Sequence, residues 1–227
     1  MRLSKRLYNI TKFVPMQTIL ADIGTDHCYI PIYLRQEGIV KHVFASDINP
    51  GPLDNAIKHI NKYNITGIET RLSNGLENFT DDDSIETVII AGMGGAMMID
   101  ILEKACLNTV KRLILQPQLG QNKVRKFLHQ KGFRIIDEEF LEDEGKFYTI
   151  IVAEVGDETY SDEYFYEYGY HVVNKANSDF QKYLFIRGKT FERIFRNFTN
   201  FKDREKVDNL KAEYKIYKQT LKYIELK

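Results

Sequence analysis

Residues Ile19–Leu34 read ILADIGTDHCYIPIYL, and the fold turns on this stretch. It opens as an apolar strand, meets Asp22, turns at Gly24 and resumes apolar positions at helical spacing from Tyr29. A period of two giving way to a helical period across one glycine turn is the mark of a strand handing over to a helix. Asp22, Asp26 and His27 crowd into that turn. In sheets built from such units the turn lies beyond the carboxyl end of the strand, where ligands bind.

The same alternation continues outward. Residues 42–48, 68–73, 85–92 and 111–117 read as further strands, separated by helical stretches such as PLDNAIKHINKY and NKVRKFLHQKG. Pro52 suits a first helical turn, and Gly38 and Gly132 suit helix ends. On the N-terminal side, Leu3, Leu7, Ile10 and Phe13 predict a short amphipathic helix over 3–13, stopped before Pro15. FRIIDEEFLEDEGKFYTIIVAEV predicts a hairpin turning near Glu144-Gly145. Alternating strands and helices predict an α/β fold with a parallel sheet covered on both faces. Seven strands ending in an antiparallel hairpin is the Rossmann-like arrangement of class I AdoMet-dependent methyltransferases. After Val155 the pattern changes. GDETYSDEYFYEYGY reads as a linker or short helix, and from about His171 apolar residues recur at three- and four-residue spacing. Two domains are expected: residues 1–155 as the sheet domain, and residues 156–227 as a helical, coiled-coil domain.

Composition bounds the class. Of 227 residues 43% are hydrophobic and 28% charged, enough for a sizeable core. No window approaches a membrane span, and MRLSKRLYNITKF lacks the apolar region of a secretory signal. Cys28 and Cys106 make neither a disulfide framework nor a zinc site, so free thiols, a cytoplasmic location and no metal are expected. Net charge is zero but segregated: from His171 onward there are 14 Lys and Arg against 7 Asp and Glu. Such a segment can form a basic face for a polyanion.

The strand ends supply the chemistry. A dinucleotide site would want G-x-G-x-x-G, whereas the first turn has one glycine and two extra acids, poor company for a pyrophosphate. Acids suit a ligand carrying hydroxyls and cationic groups. S-adenosyl-L-methionine, with its ribose, α-ammonium and sulfonium, is such a ligand. Asp47, followed by Ile48, ends the second strand where a carboxylate can take both ribose hydroxyls. Asn74-Gly75 follows the third strand, on the adenine side. AGMGGAMM, with Gly92 and Met93, opens a helix after the fourth, and Gln116 and Pro117 end the fifth. Any one of these could be a turn cap or a packed side chain. Their fall on successive strand ends points to one site.

Taken together, ILADIGTDHCYIPIYL, ASDINPGPLDNA, SNGLENF, IIAGMGG and LILQPQ closely resemble the bacterial tRNA (adenine-22-N1)-methyltransferase family, often called TrmK. The match runs to about Val155, and NKANSDFQKYL in the tail is also similar. The resemblance implies AdoMet-dependent methylation of an adenine in the D-arm region of tRNA, with a C-terminal coiled-coil domain. It carries over Asp22, Gly24, His27, Asp47, Asn74, Gly75, Gly92 and Met93 as cofactor-site positions. Relative to the broader class I pattern, Asp26 and Cys28 stand where loop glycines are usual.

Adenine N1 already bears a lone pair, so its methylation requires alignment and charge stabilisation, not a general base. Asp26 is the candidate carboxylate for the developing positive charge, and Tyr29 the candidate stacking platform. No N-P-P-Y type motif stands at AGMGG, which argues against the exocyclic amine as target. Arg2, Lys5 and Arg6 in the first helix, and Lys175, Lys182, Arg187, Lys189, Arg193 and Arg196 in the tail, are the expected RNA contacts. A monomer is expected. The rival reading is a small-molecule AdoMet-dependent methyltransferase.

Overall fold

The computed structural model describes residues 1–196 and 204–226. A seven-stranded sheet runs in the order β3-β2-β1-β4-β5-β7-β6. Its strands are β1 (Ile19–Ile23), β2 (His42–Asp47), β3 (Ile68–Leu72), β4 (Thr87–Met93), β5 (Arg112–Pro117), β6 (Phe133–Asp143) and β7 (Lys146–Val155). The first five are parallel, and β7 runs antiparallel to both β5 and β6. Between them lie helices α1 (Lys5–Thr11), α2 (Tyr29–Gln36), α3 (Pro50–Lys62), α4 (Gly95–Lys104) and α5 (Gln121–Gln130). This is the Rossmann-like sheet the alternation predicts. The first helix is shorter than 3–13 because Ser4 caps it, accepting from the Leu7 N–H, and the helix has ended before Pro15.

Both sheet faces are covered, which explains why the central strands read as near-continuous apolar runs. Successive side chains take opposite faces. Val88, Ile90, Leu113 and Leu115 pack with Met98, Ile101 and Leu102 of α4 and with Val124 and Leu128 of α5. Leu20, Ile89 and Ile114 pack on the other face with Ile30 and Leu34 of α2 and Ile10 of α1. Asp22 shares the alternation of Leu20, so its carboxylate faces the α1–α2 side.

The tail adds α6 (Glu163–Tyr168), α7 (Tyr170–Lys175), α8 (Ser178–Arg196) and α9 (Arg204–Glu225). The acidic, tyrosine-rich stretch after Val155 thus contains a short helix. The two long helices run antiparallel and meet through aromatic rings, among them Phe191 with Tyr214 and Tyr217, and Phe195 with Tyr214. Phe140 and Phe147 of the β6–β7 hairpin belong to the same apolar cluster as Phe180, Leu184 and Phe191. The tail therefore completes its core on the hairpin.

A buried ion pair fixes that junction. Arg125 of α5 and Glu138 of β6 are both fully buried, with Nε donating to Oε1 at 2.7 Å. Arg125 Nη1 also donates to the carbonyls of Tyr166 and Glu167, the last turn of α6. Glu138 Oε2 accepts from the His171 N–H in the first turn of α7. The cation thus serves the carbonyl end of one helix and the carboxylate the amide end of the next. Gly169, between them, has φ +95°, and a Cβ there would lie 2.4 Å from Glu138 Oε2. Replacing Glu138 by alanine strands Arg125 in the interior. Urea denaturation of Glu138→Ala should show a loss of about 3–5 kcal/mol, against under about 1 kcal/mol for breaking the exposed Lys126–Glu163 pair with Lys126→Ala.

Candidate active site

Strand order reverses between β1 and β4: β2 and β3 lie on one side of that pair, β5 to β7 on the other. The loops leaving β1 and β4 diverge there, and a cleft of about 460 Å³ opens between them. Asp22, Gly24, Thr25, Asp26, His27 and Tyr29 wall one side, Gly92, Met93 and Gln118 the other, with Asp47 and Arg6 at the ends.

The turn after β1 is held tightly. The Gly24 and Thr25 N–H groups both donate to the Ser46 carbonyl, at 2.8 and 3.0 Å, tying the turn to the end of β2. Gly24 has φ +75°, and a Cβ there would sit 2.3 Å from Met93 Cε. The left-handed φ favours glycine, and any larger residue would also push the Met93 side chain off the β1 loop. Asp26 and Cys28 also adopt positive φ, 38° and 58°. The residues that stand where glycines are usual keep a left-handed backbone and bear its cost. Pro31 in the first turn of α2 needs no N–H partner.

Asp22 is buried and accepts from Thr25 Oγ1 at 2.7 Å. Burial pushes its carboxyl up to about 6, and the Thr25 hydrogen bond only partly offsets that. Cys28 is buried below it. Desolvation, with Asp22 nearby, raises its thiol to about 12, so it stays neutral and inert. Asp47 Oδ1 caps the Asn49 N–H at 2.9 Å, leaving Oδ2 for a ligand. Asp26 is exposed, its Oδ2 3.4 Å from His27 Nε2. Tyr29 stacks with His27 at 5.2 Å and with His59 at 5.4 Å, and the His59 Nδ1–H donates to the His27 carbonyl at 2.9 Å.

The other expected positions lie outside the cleft wall. Asn74 donates to Glu77 Oε1 at 2.8 Å. Gly75, φ +59°, is required by packing, since a Cβ would strike Ile101 at 2.7 Å. Ile48 is exposed beyond Asp47. Gln116 is buried and accepts from Arg6 Nη1 at 2.6 Å, so it aims the cleft-lining arginine, while Pro117 is buried at the end of β5. Thr25, Gln118 and His59 are additions of the structure. Thr25 stands three residues after Asp22, the local spacing for a side-chain hydrogen bond, and that signal was available in the sequence.

Several expected RNA contacts make intramolecular ion pairs. Lys5 reaches Asp179 Oδ2 and the Glu142 carbonyl, both at 3.0 Å. Lys175 pairs with Asp137 at 2.7 Å, Lys182 with Glu142 at 2.5 Å, Arg187 with Glu213 at 2.5 Å and Lys189 with Glu192 at 3.4 Å. The acidic run DEEFLEDE at 137–144 is the counterpart of Lys175 and Lys182, which tie the tail to the hairpin, while Lys5 bridges Asp179 of the tail and the Glu142 carbonyl of the hairpin. Arg193 and Arg196 lie on the exposed face of α8, and Arg2 is exposed. By contrast Lys215, Lys218 and Lys222 form one exposed row along α9, with no ion pair or hydrogen bond to another described residue. Among the described residues no cluster suited to a metal ion occurs and no helix is long and apolar enough to cross a membrane.

The Asp22 carboxyl generates a prediction. Its folded value, about 6, exceeds the 3.8 of a solvated aspartate, so the folded state binds the extra proton between those values and stability falls as pH rises through that window. Ionised Asp22 thus costs the ligand-free protein about 2–3 kcal/mol above pH 6. Asp22→Asn should raise stability to urea by about that amount at pH 7.5 and by little at pH 4, compared by paired denaturation curves.

Comparison with known proteins agrees with this geometry. Residues 3–151 match the profile of the Methyltransferase domain family. The tRNA (adenine(22)-N(1))-methyltransferase of Bacillus subtilis (strain 168) is 37% identical over 160 residues, which is 69% of this chain and 67% of that protein. The crystal structure of the B. subtilis m1A22 tRNA methyltransferase TrmK superposes with a TM-score of 0.86 at 29% identity, covering 96% of this chain and 98% of that one. M. capricolum TrmK, in complex with S-adenosyl-homocysteine, superposes with a TM-score of 0.83 at 27% identity over 99% of both chains. With its sheet order, its cleft between the β1 and β4 loops and these likenesses over nearly its whole length, the chain belongs to the TrmK family of tRNA (adenine-22-N1)-methyltransferases.

Proposed function

We propose that this chain methylates N1 of adenine 22 in tRNA, using S-adenosyl-L-methionine. The observation that carries the reading is a pair of carboxylates on adjacent strand ends, Asp22 and Asp47, opening into one cleft at the strand-order reversal. The cleft fits the cofactor. The buried Asp22 carboxylate gains from a cationic ammonium, and Asp47 Oδ2 is available to ribose hydroxyls. A Cβ built on Gly92 would meet nothing nearer than Arg6 Nη1 at 3.9 Å, so the β4 loop leaves room above its backbone.

When bound, the cofactor supplies an electrophilic methyl group on sulfonium sulfur. Neutral adenine N1 carries its own lone pair, so no residue of the chain would have to remove a proton first; the new N–CH3 bond would replace the S–CH3 bond and S-adenosyl-homocysteine would leave. The base becomes cationic. The chain aligns the base, excludes water and accommodates that charge. Tyr29, held by His27 and His59 yet 38% exposed, offers a stacking face. Asp26, an exposed carboxylate lining the cleft, is the candidate to face the methylated base. Its exposure screens it, so its contribution is moderate.

For the RNA, the unpaired row Lys215, Lys218 and Lys222 favours a phosphate backbone. Residues at i, i+3 and i+7 share one helix face, and the row spans about 10 Å. A small-molecule substrate would leave this row without a partner.

The direct test is labelled S-adenosyl-L-methionine with unmodified tRNA, mapped by primer extension. Methylation at N1 blocks the Watson–Crick edge, so one stop at adenine 22 is expected, and no incorporated label would reject the reading. In single-turnover assays at saturating cofactor, Asp26→Asn should slow methylation roughly 3- to 30-fold with cofactor affinity little changed. A variant that binds cofactor weakly but reacts normally when saturated would make Asp26 a cofactor ligand instead. Reversing charge in K215E/K218E/K222E should weaken tRNA binding and flatten the dependence of log Kd on log salt by up to about 2–3 in slope. Cofactor affinity, measured by calorimetry, should not move.

A further inference from the structure

On the far side of the cleft from Asp22, the loop joining β5 to α5 presents a large apolar side chain to water. Leu119 is 75% exposed, directly after Gln118, which lines the cleft. Met97, in the first turn of α4, is 58% exposed. An isolated exposed leucine needs no explanation. What sets this one apart is how firmly its backbone is held. The Gln118 N–H donates to the Met93 carbonyl at 2.8 Å, and the Leu119 carbonyl accepts from the Gly95 N–H at 2.8 Å. Gly120 follows with φ +75°, so the loop turns at once into α5. Gly95 packs so closely that a Cβ there would lie 2.7 Å from the Leu119 carbonyl oxygen. The loop is thus locked to the β4 glycine loop, and it holds an apolar side chain beyond the cleft mouth that neither folded core uses.

The chemistry of the substrate supplies a use. N1 lies on the Watson–Crick edge of adenine. In folded RNA that edge is occupied by pairing, and both base faces by stacking, so the base must leave its stack to enter a cleft. Extrusion leaves a gap between the neighbouring bases, and proteins that unstack nucleic acid commonly fill such a gap with an inserted Leu, Ile, Met or Phe. We infer that Leu119 is a wedge that enters the RNA stack vacated by the target adenine and holds the base extruded toward Tyr29. It is a positioning residue, touching the RNA and not the reacting atoms. The inference rests on the tRNA reading above.

The test uses the full-length enzyme saturated with S-adenosyl-homocysteine and a tRNA carrying 2-aminopurine in place of adenine 22. The fluorescence of 2-aminopurine rises when the base leaves its stack. The unsubstituted enzyme should raise it several-fold on binding. Leu119→Ala should abolish most of that rise while changing the tRNA Kd less than about 3-fold, and should slow single-turnover methylation of unmodified tRNA roughly 10- to 100-fold. Leu119→Met, which restores an apolar side chain of similar reach, should recover both signals. A full fluorescence rise with Leu119→Ala overturns the wedge, as does a rise lost equally with Leu119→Met. Absence of tRNA methylation by the unsubstituted enzyme would instead reject the functional reading on which the wedge depends. Leu119 is largely in solvent, so its substitution leaves the fold intact, and unchanged calorimetric affinity for S-adenosyl-L-methionine verifies that.

Discussion

The reversal of strand order between β1 and β4 is the constraint on which the rest depends. Crossover helices between parallel strands return with one hand. Once β2 and β3 have been laid to one side of β1 and β4 to the other, the two outgoing loops must part. A cleft follows from connectivity before any side chain is chosen. Sequence then decides what the cleft can hold. Here it places a desolvated carboxylate on one strand end, a second on the next, and glycines opposite. That set welcomes cations and hydroxyls and repels phosphates.

The turn over residues 24–28 shows what such a site demands of its backbone. Gly24 takes a left-handed conformation freely, whereas Asp26 and Cys28 take it at a cost. The surrounding contacts make it tolerable: two N–H groups clamped to Ser46, Met93 seated over Gly24, and His59 reaching from α3 to the His27 carbonyl. Buried Asp22 adds an electrostatic penalty to the conformational one. Both penalties concentrate where ligand binding can relieve them, the usual relation between local instability and function.

Much of this was legible in the sequence, for reasons that differ by residue. The parallel sheet and its closing hairpin follow from alternating periodicities, which short-range patterns report well, whereas the order of the strands is a tertiary fact. Asp22, Gly24, Asp47, Gly92 and Met93 could be placed because strand ends are locally marked. Asn74 and Gly75 also mark a strand end, yet the Asn74 side chain is turned to Glu77 and Gly75 is packed against Ile101, and spacing does not encode either. The tail cations were hardest. A count of lysines registers an excess, but pairing is a tertiary fact. The acidic run at 137–144 pairs with Lys175 and Lys182 and Asp179 pairs with Lys5, while the row on α9 stays exposed. His59 lies off the motifs, and Gln118, though it closes LILQPQ, acquires its place at the cleft only when the loops close together.

Lys5 and Arg6 are neighbours on one short helix but face different parts of the molecule. Lys5 grips Asp179 at the head of α8 together with the turn end of β6, whereas Arg6 rests on Gln116 and borders the cleft. The Arg6 N–H is itself fastened to Asp143 at 2.8 Å. This makes α1 a mechanical coupling with one arm on the helical tail and the other on the reaction chamber. The helical tail and the wall of the cleft are thereby fastened through two consecutive residues of one short helix.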